Sequence, residues 1–291
     1  MPYGDKRSDA STISYCLICR AAEGSEHEKN FAIATTAVSA TGFAADLPAR
    51  TYTKAPVPVV SPVYNWAGFY VGLNGGGGSA HNCWTINATS QITLNPPQAD
   101  GCSNATGGTI GGQVGYRWQA ANWVFGVEAQ GNLANFNGSN PITAAGGPPG
   151  ALNDVTKINS FGLFTGQVGY AFNTIQLCAK GGAAVVNDKY SWTMSALGTG
   201  FLPGSFVGQT FATGSETRWG STVGAGIEFG FAPHWSVALE YDHFFMGTND
   251  VTQNSAPPFP TVSYFHSISQ DVDIGTVRVN YTFGGPVVAK Y

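Results

Sequence analysis

Strand-length segments in which every second residue is apolar recur in four pairs along this chain, and Gly, Thr, Gln or charged residues stand between the apolar ones. Residues 109–118 show the pattern most clearly. Ile110, Val114, Tyr116 and Trp118 fall on one face, Gln113 and Arg117 on the other. Successive side chains of a strand point to opposite faces, so each segment has a polar and an apolar side. In a soluble barrel the apolar side fills the interior. In a membrane barrel it meets lipid and the polar side lines the axis. The placement of charge, taken up below, favours the second arrangement.

Only 10% of the 291 residues are charged, 13% are aromatic and 39 are glycine, a composition that permits a packed structure. The net charge of -4 offers no basic stripe for nucleic acid. Beyond residue 50 no uncharged apolar run reaches the roughly 18–20 residues that a spanning helix needs. The mean hydropathy of -0.02 looks soluble, but alternating barrel strands average to the same value.

Residues 31–45 read as the apolar core of a signal peptide. Lys29 precedes it, and Gly42-Phe43-Ala44 supplies a small-x-small site, so cleavage is expected after Ala44. Residues 1–28 are polar and long for a leader, as expected if translation starts near Lys29. Cys16 and Cys19 form a C-x-x-C without a second pair or a βαβ setting, which is weak ground for zinc or redox chemistry. The expected organisation is extension and signal peptide over 1–44, a periplasmic tether over 45–64, a barrel over 65–283 and a tail over 284–291. Pro48, Pro56, Pro58 and Pro62 make the tether extended.

Eight strands are predicted, at about 66–74, 109–118, 123–132, 160–172, 175–188, 218–231, 234–245 and 271–283. Three connections are tight: residues 119–122, Asn173-Thr174 and Ala232-Pro233. The other four, around 79–105, 133–157, 196–214 and 247–267, read as long loops, and Gly75 to Gly78 as a flexible exit into the first. Turns at one end and loops at the other predict an all-β fold, an eight-stranded antiparallel up-and-down transmembrane β-barrel. Gly112-Gln113-Val114-Gly115-Tyr116 recurs at residues 166–170 and, more loosely, at 226–231, as a repeated hairpin would require.

The polar face carries four acids, Glu128, Glu228, Glu240 and Asp242, and four bases, Arg117, Lys180, Arg218 and Arg278. A soluble core would not hold eight such charges. An eight-stranded barrel is narrow enough for side chains to fill, so these are expected to pair inside it. Asp242 and Arg218 are the two expected to stand solvated above the membrane. On the other face Trp118, Trp123, Tyr170, Phe172, Phe229, Phe231, Trp235, Tyr281 and Phe283 gather near the tight turns as an interfacial girdle. Cys83 and Cys102 share the first long loop, and in an exported chain a disulfide there is expected to contribute roughly 3 kcal/mol. Cys178 falls inward as a small packed thiol. His81, His234, His243 and His266 are scattered, without metal-ligand spacing. Asp242 and His243 are adjacent and so point to opposite faces, and the Gly75 to Gly78 run opens no helix that could cradle phosphate. Neither enzyme activity nor a cofactor is expected.

Asn65-Trp66-Ala67-Gly68-Phe69-Tyr70-Val71-Gly72, Ala45-Asp46-Leu47-Pro48 and the closing stretch from Phe283 to Tyr291 resemble the small outer-membrane β-barrel surface antigens of alphaproteobacteria, rhizobial type. The resemblance covers residues 31–291. It implies a porin-like or immunogenic outer-membrane protein in the cell outer membrane, with envelope and surface-contact roles better supported than transport. Alternatives are a narrow diffusion channel and a surface receptor for a ligand such as haem, for which no motif can be placed on particular residues. The implied partners are outer-membrane lipids and the barrel insertion machinery, which would read the end of strand eight, Val277-x-Val279-x-Tyr281-x-Phe283. Residues 284–291 follow, leaving either Phe283 or Tyr291 as the terminal aromatic.

Overall fold

The computed structural model describes residues 64–143, 148–201 and 204–284. The expected signal peptide and cleavage site, Cys16 and Cys19, the expected tether up to residue 63 and the tail from residue 285 lie outside them. Eight strands follow in chain order: β1 Gly68–Thr89, β2 Thr93–Ala120, β3 Trp123–Pro141, β4 Leu152–Phe172, β5 Ile175–Met194, β6 Thr210–Ala232, β7 Trp235–Ser255 and β8 Ser263–Thr282. Each pairs antiparallel with the next, and β8 pairs with β1 to close the ring. Val71 on β1, for example, lies between Val114 on β2 and Tyr281 on β8. A short helix, Ala196–Phe201, sits between β5 and β6. No helix among the described residues is long and apolar enough to cross a membrane, which says nothing against crossing by strands.

Two-residue turns join β2 to β3, β4 to β5 and β6 to β7. Each contains one residue at positive φ: Ala121 at 53°, Asn173 at 58° and His234 at 70°. Left-handed backbone at such a reversal matches the twist of the flanking strands.

The strands are 19 to 28 residues long, well beyond the predicted lengths. Three of the four segments expected as long loops are largely strand, while 196–214 holds the short helix and only the start of β6; 79–105 continues β1 and β2 and leaves only residues 90–92 between them. The glycine run at 75–78 is likewise inside β1 and is no flexible exit. A Cβ on Gly78 would come within 3.0 Å of the Phe136 ring and 2.4 Å of the Asp273 carbonyl oxygen, so the run makes room for the barrel interior.

The reason these halves read as loop is a change of phase. Within about ten residues of the tight turns the outward side chains are apolar and exposed, as with Val127, Leu239 and Ile227. From Trp235 to Phe245 on β7, at about 3.3 Å per residue and about 40° of tilt, that band is about 25 Å tall, the height of a membrane hydrocarbon layer. Farther from the turns the outward residues are Asn104, Thr106, Asn137, Lys157, Lys189 and Thr252, all exposed. There the apolar residues point inward. Phe136, Phe161, Leu163, Val186, Phe244 and Ile274 form one buried cluster, and Ile86, Leu152, Trp192, Met194 and Tyr264 form a second nearer the outer end. The expectation of a polar axis thus holds for the membrane half alone.

This two-zone surface predicts a sharp contrast between two arginine substitutions on β7. Leu239→Arg, in mid-band, should destabilise folding into lipid vesicles by about 2–4 kcal/mol. Thr252→Arg, outward but beyond the band, should stay within about 0.5 kcal/mol of wild type. Urea titration of vesicle-inserted protein measures both.

Candidate functional site

Closure of the sheet sends alternate side chains of all eight strands into one narrow lumen, and in the membrane half these side chains are charged or amide-bearing. Arg278 on β8 donates from Nη1 to Glu240 and from Nη2 to Glu128. Lys180 on β5 donates to Glu240 and lies 3.3 Å from Asp242 Oδ1 and 3.6 Å from Glu128 Oε1. Arg117 on β2 donates to Glu228 Oε2 at 2.8 Å. Its guanidinium sits 4.2 Å over the ring of Tyr70, whose hydroxyl donates to Glu128 Oε2 at 2.5 Å. Tyr70 therefore ties the Arg117–Glu228 pair to the rest. It occupies the inward parity of β1, opposite Phe69, Val71 and Leu73, yet a search for charge passes over it.

An amide relay runs round the same level. Asn132 donates to Asn74 at 2.6 Å, Asn74 to Gln113 at 2.7 Å, Gln113 to Asn280 at 2.7 Å and Asn280 to Glu228 at 2.9 Å. None of the seven charged residues in this layer is more than 7% exposed. Ion pairs this deep add little net stability but cost about 3–5 kcal/mol when one partner is removed. Arg278→Ala should accordingly lower the unfolding free energy in micelles by about 3–5 kcal/mol, because it leaves Glu128 and Glu240 to share Lys180 as their one buried cation. Chemical denaturation followed by tryptophan fluorescence reads this.

Arg218, the eighth charge of the predicted set, stands apart in the outer half. It donates to Glu216 and, at 3.0 Å, to the Ile268 carbonyl. Arg218 and Asp242, expected in solvent, are 0% and 1% exposed. The barrel wall continues past the membrane and keeps inward parity enclosed. Near the tight turns Trp123 meets Tyr170 edge-on at 5.2 Å, and Trp235 meets Tyr281 at 5.0 Å. Trp118, Phe172, Phe229, Phe231 and Phe283 are exposed at the same end. A second aromatic level, unread in the sequence, holds Trp219, Phe164 and Phe245 at the far margin of the band, with Trp219 and Phe164 stacked at 6.4 Å. Its trace was there: Trp219 alternates with Arg218.

Trp66, 1% exposed, closes the turn end of the lumen against Val124 and Ala171, and its indole donates to the Asn173 carbonyl at 3.0 Å. Cys83 and Cys102 are joined by a disulfide between directly opposed positions of β1 and β2, in strand rather than in a loop. Cys178 points inward and donates to the Gly226 carbonyl at 3.5 Å.

A second polar group lies in the outer half. Asp100, Asp154 and His266 are each 0% exposed, and His266 Nε2 is 3.9 Å from Asp100 Oδ2. The rings of Trp192 and Trp84 pack on His266 at 4.9 and 5.8 Å. Burial, then the negative charge of Asp100, push the Asp154 carboxyl up to about 8, against the opposing influence of the Trp192 indole. Burial pushes His266 down to about 4. Burial also raises Asp188 to about 6. Position 266 falls in a segment that read as loop, so its enclosure was not foreseen.

The signs of these shifts differ. A carboxyl raised in the folded state contributes stability below its unfolded pKa that is lost as pH climbs through the folded value. A lowered histidine contributes stability that is lost as pH falls. Between pH 6.5 and 8.5 Asp154 is the one of the three whose folded-state value falls inside the window, and it dominates the slope there. The melting temperature should fall across that window in wild type and stay flatter in Asp154→Asn, as calorimetry of micellar protein would show.

A closed antiparallel ring with a lipid-facing apolar band and a charged lumen defines an integral β-barrel of the outer-membrane type. The family described as "Outer membrane protein beta-barrel domain" matches residues 31–257, and the chain belongs to it. It is 27% identical over 240 residues to the 31 kDa outer-membrane immunogenic proteins of Brucella melitensis biotype 1 and Brucella suis biovar 1, covering 79% of this chain and 90% of each relative. The resemblance to alphaproteobacterial surface antigens is thus shown. The crystal structure of outer membrane protein OprG from Pseudomonas aeruginosa shares the fold at 12% identity and a TM-score of 0.50, covering 77% of this chain and all of OprG. The protein is one of the cell outer membrane.

Proposed function

We propose that this protein is a non-enzymatic, closed-lumen barrel that reinforces the envelope and presents a rigid surface for contact outside the cell. One observation carries the reading. A single buried apolar cluster draws residues from seven of the eight strands, all except β6, and so spans the lumen from wall to wall. Phe161 on β4 and Phe244 on β7, strands that are not neighbours in the ring, meet edge-on at 5.5 Å across it. The charged layer lies on one side of this disc and the Trp192 cluster on the other.

Surface contact is supported by the hairpin ends, where Ile92, Leu197, Phe206 and Val207 are 59–65% exposed. Single apolar residues on a surface are ordinary, and what suits these to contact is the rigid strand wall that holds them at its outer end. Asp242 and His243 do not cooperate as an acid–base pair: Asp242 is inside on Lys180, while His243 faces out to Asp273 at 2.6 Å. The barrel insertion machinery is the proposed biogenesis partner, on the strength of the outward row Val277, Val279, Tyr281 and Phe283 at the end of β8.

In planar bilayers the purified protein should give no stable conductance steps over a range of voltages. Reproducible unitary steps from wild type would favour the narrow-channel alternative instead.

A further inference from the structure

The outward face of β1 and β2, beyond the membrane band, carries a cluster that a closed lumen leaves unused. His81 and Cys83 are two residues apart on β1, and Asn104 and Cys102 oppose them on β2. His81 Nε2 lies 3.4 Å from Cys83 Sγ, and the donor atoms of His81, Cys83 and Cys102 all fall within 4.8 Å of one another. His81 and Cys102 are exposed, so the cluster is open to the medium. The other imidazole nitrogen, Nδ1, is 2.7 Å from Asn104 Oδ1. A carbonyl oxygen only accepts, so Nδ1 carries the proton and Nε2 turns its lone pair toward sulfur. Metal-binding histidines are oriented in this way by a hydrogen bond from their second nitrogen.

The spacing fits a particular ion class. With Zn–S near 2.3 Å and Zn–N near 2.05 Å, a tetrahedral ion holds its sulfur and nitrogen ligands about 3.5 Å apart. The separation here is 3.4 Å before any ion enters. Asp271, the cross-strand partner of His81 on β8, stands on the same outward face but outside the three-donor cluster, so water takes the fourth position.

We propose that the Cys83–Cys102 disulfide is a redox gate on a zinc-class metal site completed by His81. While the sulfurs are bonded to each other they carry no thiolate charge, and the imidazole alone does not hold the ion. An external dithiol opens the gate. The S–S bond breaks, two S–H bonds form, and the dithiol gives up two electrons and two protons as it becomes a disulfide. Entry of the divalent ion then displaces both thiol protons to solvent and forms two metal–sulfur bonds and one metal–nitrogen bond.

The test uses the full chain folded in micelles, with Cys16→Ser, Cys19→Ser and Cys178→Ser so that only the two paired thiols remain. After dithiol reduction and anaerobic desalting it is titrated with Co2+. One Co2+ per chain is expected, with visible d–d bands of tetrahedral geometry and a near-ultraviolet thiolate charge-transfer band, both erased by Zn2+. The unreduced sample should show neither. Asn104→Ala should weaken Zn2+ binding about tenfold, and His81→Ala more than that. Heat-modifiable gel mobility checks the barrel in every sample. A folded, reduced barrel without the charge-transfer band overturns the proposal, as does equal binding before and after reduction. So does unchanged affinity in His81→Ala, or loss of folded mobility on reduction, because the site needs both strands in register.

Discussion

The ladder between β8 and β1 is the constraint on which the rest depends. It runs from Tyr70 opposite Thr282 to Thr89 opposite Tyr264, with one irregularity between Ile86 and Ala88, and it leaves the sheet without a free edge. In hydrocarbon an unpaired backbone amide or carbonyl costs several kcal/mol, so an open sheet could not remain there. Once the ring is shut, each side chain has two destinations only, the lumen or the surroundings, and parity along the strand decides which. Tyr70, Glu128, Lys180 and Arg278 are brought together by that parity from four different strands, 58 to 150 residues apart along the chain in the bonds Glu128 forms with Tyr70 and Arg278.

The surroundings then dictate what each destination holds. Beside the turns the outside is lipid, so Val127, Leu239 and Phe229 face out, and the inward positions must be satisfied without water. Paired ions and amides achieve this: Arg278 reaches two carboxylates, and Gln113 both donates to Asn280 and accepts from Asn74. The charged layer is a consequence of where the barrel sits rather than a source of surplus stability. Past the band the outside is water, and the ordinary economy of a soluble protein returns. Thr106, Lys157 and Thr252 face the solvent while Phe136, Phe161 and Phe244 pack within.

This reversal explains what could be read from the chain. The membrane halves of the strands were legible because their apolar phase is outward and their polar phase contains unmistakable charges. So were the three tight turns and the aromatic level beside them. The outer halves were not. Their outward Asn, Ser, Thr and Lys residues have loop-like composition, and their inward residues alternate in the opposite phase, so a search tuned to one polarity sees no strand. For the same reason the sequence pattern puts Arg218 in water and His266 in a loop, although both are enclosed. Tyr70 was missed differently. A neutral aromatic on the polar face carries no charge to betray that it bridges Arg117 and Glu128.

The length of the outer wall bears on how it meets other surfaces. From Ile110 to the start of β2 at Thr93 the strand continues for about 17 residues, or about 40 Å at the same tilt. Flexible loops of that length would lose conformational entropy on every encounter, whereas a hydrogen-bonded wall has already lost it during folding. The β1–β2 hairpin loses strict register toward its tip, shifting between Trp84 and Thr85 and again between Ile86 and Ala88. The Cys83–Cys102 crosslink falls one pair before Trp84 opposite Gly101, the last regular pair ahead of the first of those shifts. It pins the register there, so the irregular tip beyond it can vary without loosening the ladder beneath.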